Sequence, residues 1–172
     1  MNRLKRLLVW LSRVHRCQGF GIQSPTDYSF VRYVVNEHLP YYAYDFLKDD
    51  DWLRLKLGRL YFRLANWRRP TFMLPDKYEQ FWLAGCRTIH FTTNIDMVEL
   101  VRLDVDDISL YESLLPKCDD MSVMVVEGIC DNMSRWHNME KDERTGTTFD
   151  LYYCGIIFFD KKRFKHHYKV NF

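Results

Sequence analysis

The first residues in this chain that could do chemistry are five carboxylates. Asp104, Asp106 and Asp107 follow one β-rich run, and Glu127 and Asp131 follow another. If two such runs lie in one sheet, their ends bring hard oxygen ligands together, the donor set that magnesium and calcium take. The competing reading is simpler. Asp106 or Asp107 directly precedes a helical pattern, and an acid there caps the first free N–H groups. The capping reading is preferred, so no metal is expected, with Asp104, Glu127 and Asp131 as the candidates to follow.

Other chemistries find less support. His15, His38, His90 and His137 are scattered, and no nucleophile–base–acid set can be assembled from their spacing. His166 and His167 adjoin Lys161, Lys162, Arg163, Lys165 and Lys169, a run that could meet phosphates, although a solvated basic turn guarding a sheet edge explains it as well. The five cysteines are odd in number and widely spaced, with no CxxC. That argues against a disulfide framework or a structural zinc site and for free thiols in a reducing compartment. Cys130 and Cys154 read as packing residues, since neither has a paired base.

These groups need elements to position them. The chain has 172 residues, 47% apolar and 16% aromatic, with a net charge of +2. One domain with a substantial core is expected, without a strong nucleic-acid or membrane signal. No run reaches the ~18 apolar residues of a membrane span. Lys5 and Arg6 interrupt the apolar start and no small-residue cleavage site follows, so a signal peptide is not expected and the cytoplasm is.

Residues 3–16 form an amphipathic basic helix, with Leu4, Leu7, Leu8, Leu11 and Val14 at helical spacing and Arg3, Lys5, Arg6, Arg13 and Arg16 largely on other faces. Two readings stay open, a helix docked on its own domain and a helix lying on a membrane surface. A second helix starts at Ser24-Pro25 and runs to about His38. Tyr41-Tyr42-Ala43-Tyr44 reads as an aromatic plug. A third helix spans about Asp50–Asn66, with Lys56, Arg59 and Arg63 on a solvated face. Residues 1–69 are therefore a helical region packed on the same domain as residues 70–172.

After Pro70, strands at Thr71–Leu74, Thr88–Thr92, Val98–Leu103 and Ser122–Glu127 alternate with helices at about 76–85, 107–115 and 132–142. Alternation of this kind argues for a parallel α/β sheet. Phe149–Phe159 and His167–Phe172 are β-rich runs joined only by Asp160–His166. So short a connection cannot make a parallel crossover, and the pair is expected to be antiparallel.

Three places carry a resemblance. They are Gly19-Phe20-Gly21-Ile22-Gln23-Ser24-Pro25 with Tyr41-Tyr42-Ala43-Tyr44; Leu114-Leu115-Pro116 with Ser122–Val126; and Phe149–Tyr152, Gly155–Phe159 and His167–Phe172. In order and spacing the chain resembles a bacterial family of class I S-adenosylmethionine-dependent methyltransferase-like proteins related to O-methyltransferases. The resemblance implies a Rossmann-like sheet, mostly parallel with a C-terminal antiparallel pair. About one strand–helix unit is missing, since only about fifteen residues separate the second strand from the helix at 107.

The resemblance also implies where a cofactor would lie, and there the chain departs from the family. Leu74-Pro75-Asp76-Lys77 replaces an acid and a glycine-rich turn. Thr92-Thr93-Asn94 stands where an acid would hold the ribose, and the late acidic pair has become Glu127-Gly128. Pro75, Asp76, Thr93, Asn94 and Asp104 are the residues of this degenerate cofactor site. Pro75 removes a donor and fixes φ. The expectation is a non-catalytic, methyltransferase-like binding or interaction module without a cofactor, whose partner is itself or an intact relative. The alternatives are an active methyltransferase on a small molecule that binds S-adenosylmethionine, and a peripheral binder of an anionic surface or nucleic acid through the basic termini.

Overall fold

The computed structural model describes residues 3–172. Seven strands form one mixed sheet: β1 Phe72–Met73, β2 His90–Phe91, β3 Leu100–Asp104, β4 Val123–Glu127, β5 Thr148–Asp150, β6 Cys154–Phe158 and β7 His167–Lys169. Their spatial order is β2-β1-β3-β4-β6-β5-β7. β1 to β4 are parallel, and β6 runs antiparallel to both of its neighbours, β4 and β5. This is a Rossmann-like α/β sheet. The chain leaves β1 for β2 on one side and returns to β3 on the other, so the order of winding reverses between β1 and β3.

Helices cover both faces. On one lie α2 (Pro25–Phe30), α3 (Trp52–Arg68) and α4 (Glu79–Gly85); on the other lie α5 (Ile108–Leu114) and α6 (Met133–Lys141). The period of two along a strand sorts the side chains between the layers. Val123 and Val125 join Leu57, Leu60, Phe81 and Trp82, whereas Met124 and Val126 join Tyr111, Leu114 and Trp136. Residues from both halves of the chain share the first core, where the Phe30 ring lies 4.9 Å from Phe149 and 5.0 Å from Phe158.

Local chemistry sets the ends of these elements. Ser24 caps α2 by accepting from the Asp27 N–H, with Pro25 in the first turn. The helix then widens into a π turn over Val31–Val35 and stops at Asn36, short of the expected His38. Asp51 caps α3, which runs on to Arg68 and ends on Arg69 in the left-handed region (φ 51). Tyr41 and Tyr44 pack edge-on against Phe62 as a plug, while Tyr42 stays in solvent.

The tail differs from the sequence expectation in two ways. Phe149–Phe159 is not one strand but the β5–β6 hairpin, turned at Leu151–Tyr153 with Tyr152 at φ 73. β7 does run opposite to β6, as the short loop requires, but the two are not neighbours. β5 lies between them and pairs with β7 in parallel.

The N-terminal helix α1 (Arg3–Ser12) is docked the other way round from its leucine pattern. None of its residues is buried. It is held by Arg6 over the Trp52 ring at 4.1 Å, by the Trp10 carbonyl accepting from Asn171, and just beyond its end by Arg13. Arg13 reaches both carboxylate oxygens of Asp150 at 2.9 and 3.0 Å. Asp150 is 0% exposed and needs a cation, and that demand outweighs burial of the leucines.

Candidate functional site

The reversal between β1 and β3 marks the place where an open α/β sheet binds its ligand, outside the carboxyl ends of the strands. Asp76 lies just past β1, Asp104 ends β3 and Glu127 ends β4, with Asp104 and Glu127 in register. The sheet brings these three candidate residues to one end. Thr93 and Asn94 lie apart from them, exposed beyond the edge strand β2, where Asn94 accepts from the Asp96 N–H and caps a single helical turn. Pro75 is exposed in the turn. Asp131 sits one turn after Glu127 and accepts from the Cys130 thiol at 3.7 Å.

Side chains fill the space between these ends. Arg102 Nε donates to Glu127 at 2.7 Å, and its other arm reaches Asp104 at 2.5 Å. Glu127 also accepts from Tyr61 Oη at 3.3 Å and Tyr78 Oη at 3.1 Å, and Lys77 Nζ stands 3.1 Å away. Asp76 accepts from the Tyr78 N–H at 2.6 Å and from Trp82 Nε1 at 3.1 Å. Tyr61 stacks on Trp82 at 4.6 Å and meets Tyr78 edge-on at 4.7 Å. Period-two alternation turns both Arg102 and Glu127 toward α3 and α4, so they close the crevice from below while Tyr61, Tyr78 and Trp82 close it from above.

The electrostatics follow from this packing. Burial works against the Arg102 charge, but Glu127 beside it outweighs that and holds the guanidinium more firmly protonated than usual. Burial raises the Tyr78 phenol, and the Glu127 carboxylate raises it further, so it stays a neutral donor. Burial also raises Asp76, while the Tyr78 N–H and the Trp82 indole pull it back. Each acid already has a donor or cation of its own. Among the described residues, no group of three His, Cys, Asp or Glu side chains is placed to hold a metal ion. Asp107 caps α5 by accepting from the Leu110 N–H, and Asp106 pairs with Arg135. The five cysteines are free thiols.

A second site lies away from the strand ends, along α3. Lys56, Arg59 and Arg63 do not form a solvated face as their spacing suggested. They line a cleft of about 230 Å³ with Glu37, His38, Trp52 and Phe172, and Arg59 and Arg63 also line a neighbouring one of about 410 Å³ against Glu37, Tyr41, Tyr44 and Asp45. Arg63 is buried and donates to the Val34 and Val35 carbonyls, closing the end of the π turn. Lys56 Nζ lies 4.2 Å from the Phe172 ring, and Arg59 lies 4.9 Å from Tyr44. Among the described residues, none of the three cations forms an ion pair, and Arg59 Nε is buried without a hydrogen-bond partner. Burial, followed by the charge of Arg63, lowers Lys56 to about 8. The spacing of these cations was visible in the sequence. The cleft was not, because its other wall comes from residues 35–45.

No family model, curated protein or solved structure matches the chain.

Proposed function

We propose that this chain is a methyltransferase-like scaffold that has given up cofactor binding and acts as a binding module. One observation carries the reading: Glu127, bonded to Arg102, Tyr61, Tyr78 and Lys77, fills the crevice where a Rossmann-like sheet takes its ligand. The strand plan supports the methyltransferase-like part, with parallel strands followed by a C-terminal hairpin whose β6 is reversed. So does the single helical turn, Ile95–Met97, that replaces a strand–helix unit between β2 and β3. A catalytic reading would need Asp76, Asp104 and Glu127 free for cofactor or substrate, and all three are engaged.

Binding is assigned to the cleft of Lys56 and Arg59, two cations outside any ion pair among the described residues that outnumber the one carboxylate, Glu37, lining it, and that suit a carboxylate or phosphate group. The test is calorimetric titration of the chain with S-adenosylmethionine and with its demethylated product. Neither is expected to give heat. Micromolar binding of either would overturn the reading in favour of the enzyme.

A further inference from the structure

On a helical wheel at 100° per residue, Leu4, Leu7, Leu8 and Leu11 of α1 fall within an arc of about 100°. Arg6, Val9 and Arg13 lie on the opposite side, and that is the side facing the protein, through the Arg6–Trp52 stack and the Arg13–Asp150 pair. The leucine side faces outward. Leu7 is 53% exposed, Leu8 58% and Leu11 49%, and Leu4 is more than half exposed. Arg3 and Lys5, both exposed, flank the leucine arc, one on each side. We propose that α1 is a surface anchor for anionic lipid, gripping the fold with its cationic face and laying its leucine face on a bilayer.

Charge decides the occupant. The first acidic residue of the chain is Asp27, so α1 carries no carboxylate, while Arg3, Lys5, Arg6, Arg13 and Arg16 fall within or next to it. A second copy meeting this face would bring a like-charged surface against it. A strip of three or four half-exposed leucines also offers far less than the ~800 Å² per partner of a stable protein interface. An anionic headgroup layer removes both difficulties. Leucines enter to the acyl boundary while Arg3 and Lys5 stay at the phosphates, the arrangement that holds interfacial helices. The anchor is independent of the strand-end crevice, so its test does not depend on cofactor binding.

The experiment is co-sedimentation of the full chain with phosphatidylcholine vesicles, with and without phosphatidylglycerol. Binding is expected only with phosphatidylglycerol, and it should weaken as salt screens the charges. Leu8→Glu, at a position exposed enough to leave the fold intact, should weaken it by about tenfold or more. Phe164→Ser, an exposed apolar residue in the basic loop before β7, should leave it unchanged. Circular dichroism of each variant keeps folding separate from binding. Failure to sediment with phosphatidylglycerol, or sedimentation that survives Leu8→Glu, would overturn the proposal. So would a dimer in light scattering that Leu8→Glu abolishes, since it would give the face to a second copy.

Discussion

Glu127 and Arg102 sit side by side on adjacent strands with side chains 13% and 8% exposed, where an unpaired charge is costly. Arg102→Met leaves Glu127 with Lys77 and two phenols, and the chain should lose about 2–4 kcal/mol in urea unfolding. Adding Glu127→Leu should restore only part of that loss, because it removes the stranded charge but leaves the buried Tyr61 and Tyr78 hydroxyls without their acceptor. Lys56 has the opposite sign. Its folded value of about 8 lies below the ordinary 10.5, so the folded state binds its proton less well than the unfolded chain does. Lys56 therefore costs stability in full below pH 8, and the cost fades as pH rises from 8 to 10.5. Lys56→Met should stabilise the chain at pH 7, with the gain over wild type shrinking toward pH 10, while binding of phosphate at the cleft weakens. Part of this was legible in the sequence. The turn Pro75-Asp76-Lys77 could be seen to lack glycine and to carry an acid at the end of β1. The Arg102–Glu127 pair at the strand ends could not, because the two residues are 25 positions apart and meet only through the register of β3 against β4.

At the scale of elements, glycines set how closely layers approach. Gly58 and Gly85 bring α3 and α4 together. A Cβ at Gly58 would stand 2.6 Å from the Phe81 ring, and one at Gly85 would strike the Phe62 carbonyl. Gly85→Ala is expected to cost about 1–3 kcal/mol by forcing the helices apart. A smaller midpoint shift than an exposed Gly→Ala control would contradict that contact. Gly155 does the same for the sheet, leaving room for the buried Trp136 ring. Most of these elements were legible from periodicity and caps, including α3, α5 and the four parallel strands. The β5–β6 hairpin was not. Leu151-Tyr152-Tyr153 contains none of the usual turn residues, and Tyr152 reaches positive φ in a turn where Asp150 accepts its N–H at 2.8 Å.

At the scale of the molecule, Arg13 ties the N-terminal helix to β5, the strand next to the β7 edge of the sheet. Arg13→Met would strand Asp150 without its cation in the core, and a loss of about 3–5 kcal/mol is expected by urea unfolding. Together with the Arg6–Trp52 stack and the Asn171–Trp10 bond, the Arg13–Asp150 pair sets which face of α1 looks outward. Leucine spacing left open whether the stripe packs on the domain or faces outward, because the demand of a buried carboxylate 137 positions along the chain cannot be read from a local pattern. The molecule thus keeps a Rossmann-like frame, packs side chains across its strand ends, lines a cleft with cations along α3 and turns leucines outward along α1.

Amide chemical shifts on adding millimolar S-adenosylmethionine, and separately inorganic phosphate, test the filled crevice most directly. Phosphate should move resonances along Lys56–Arg63, and S-adenosylmethionine should leave Asp76, Asp104, Glu127 and Gly128 where they are. Saturable shifts of those four residues with S-adenosylmethionine would contradict the account.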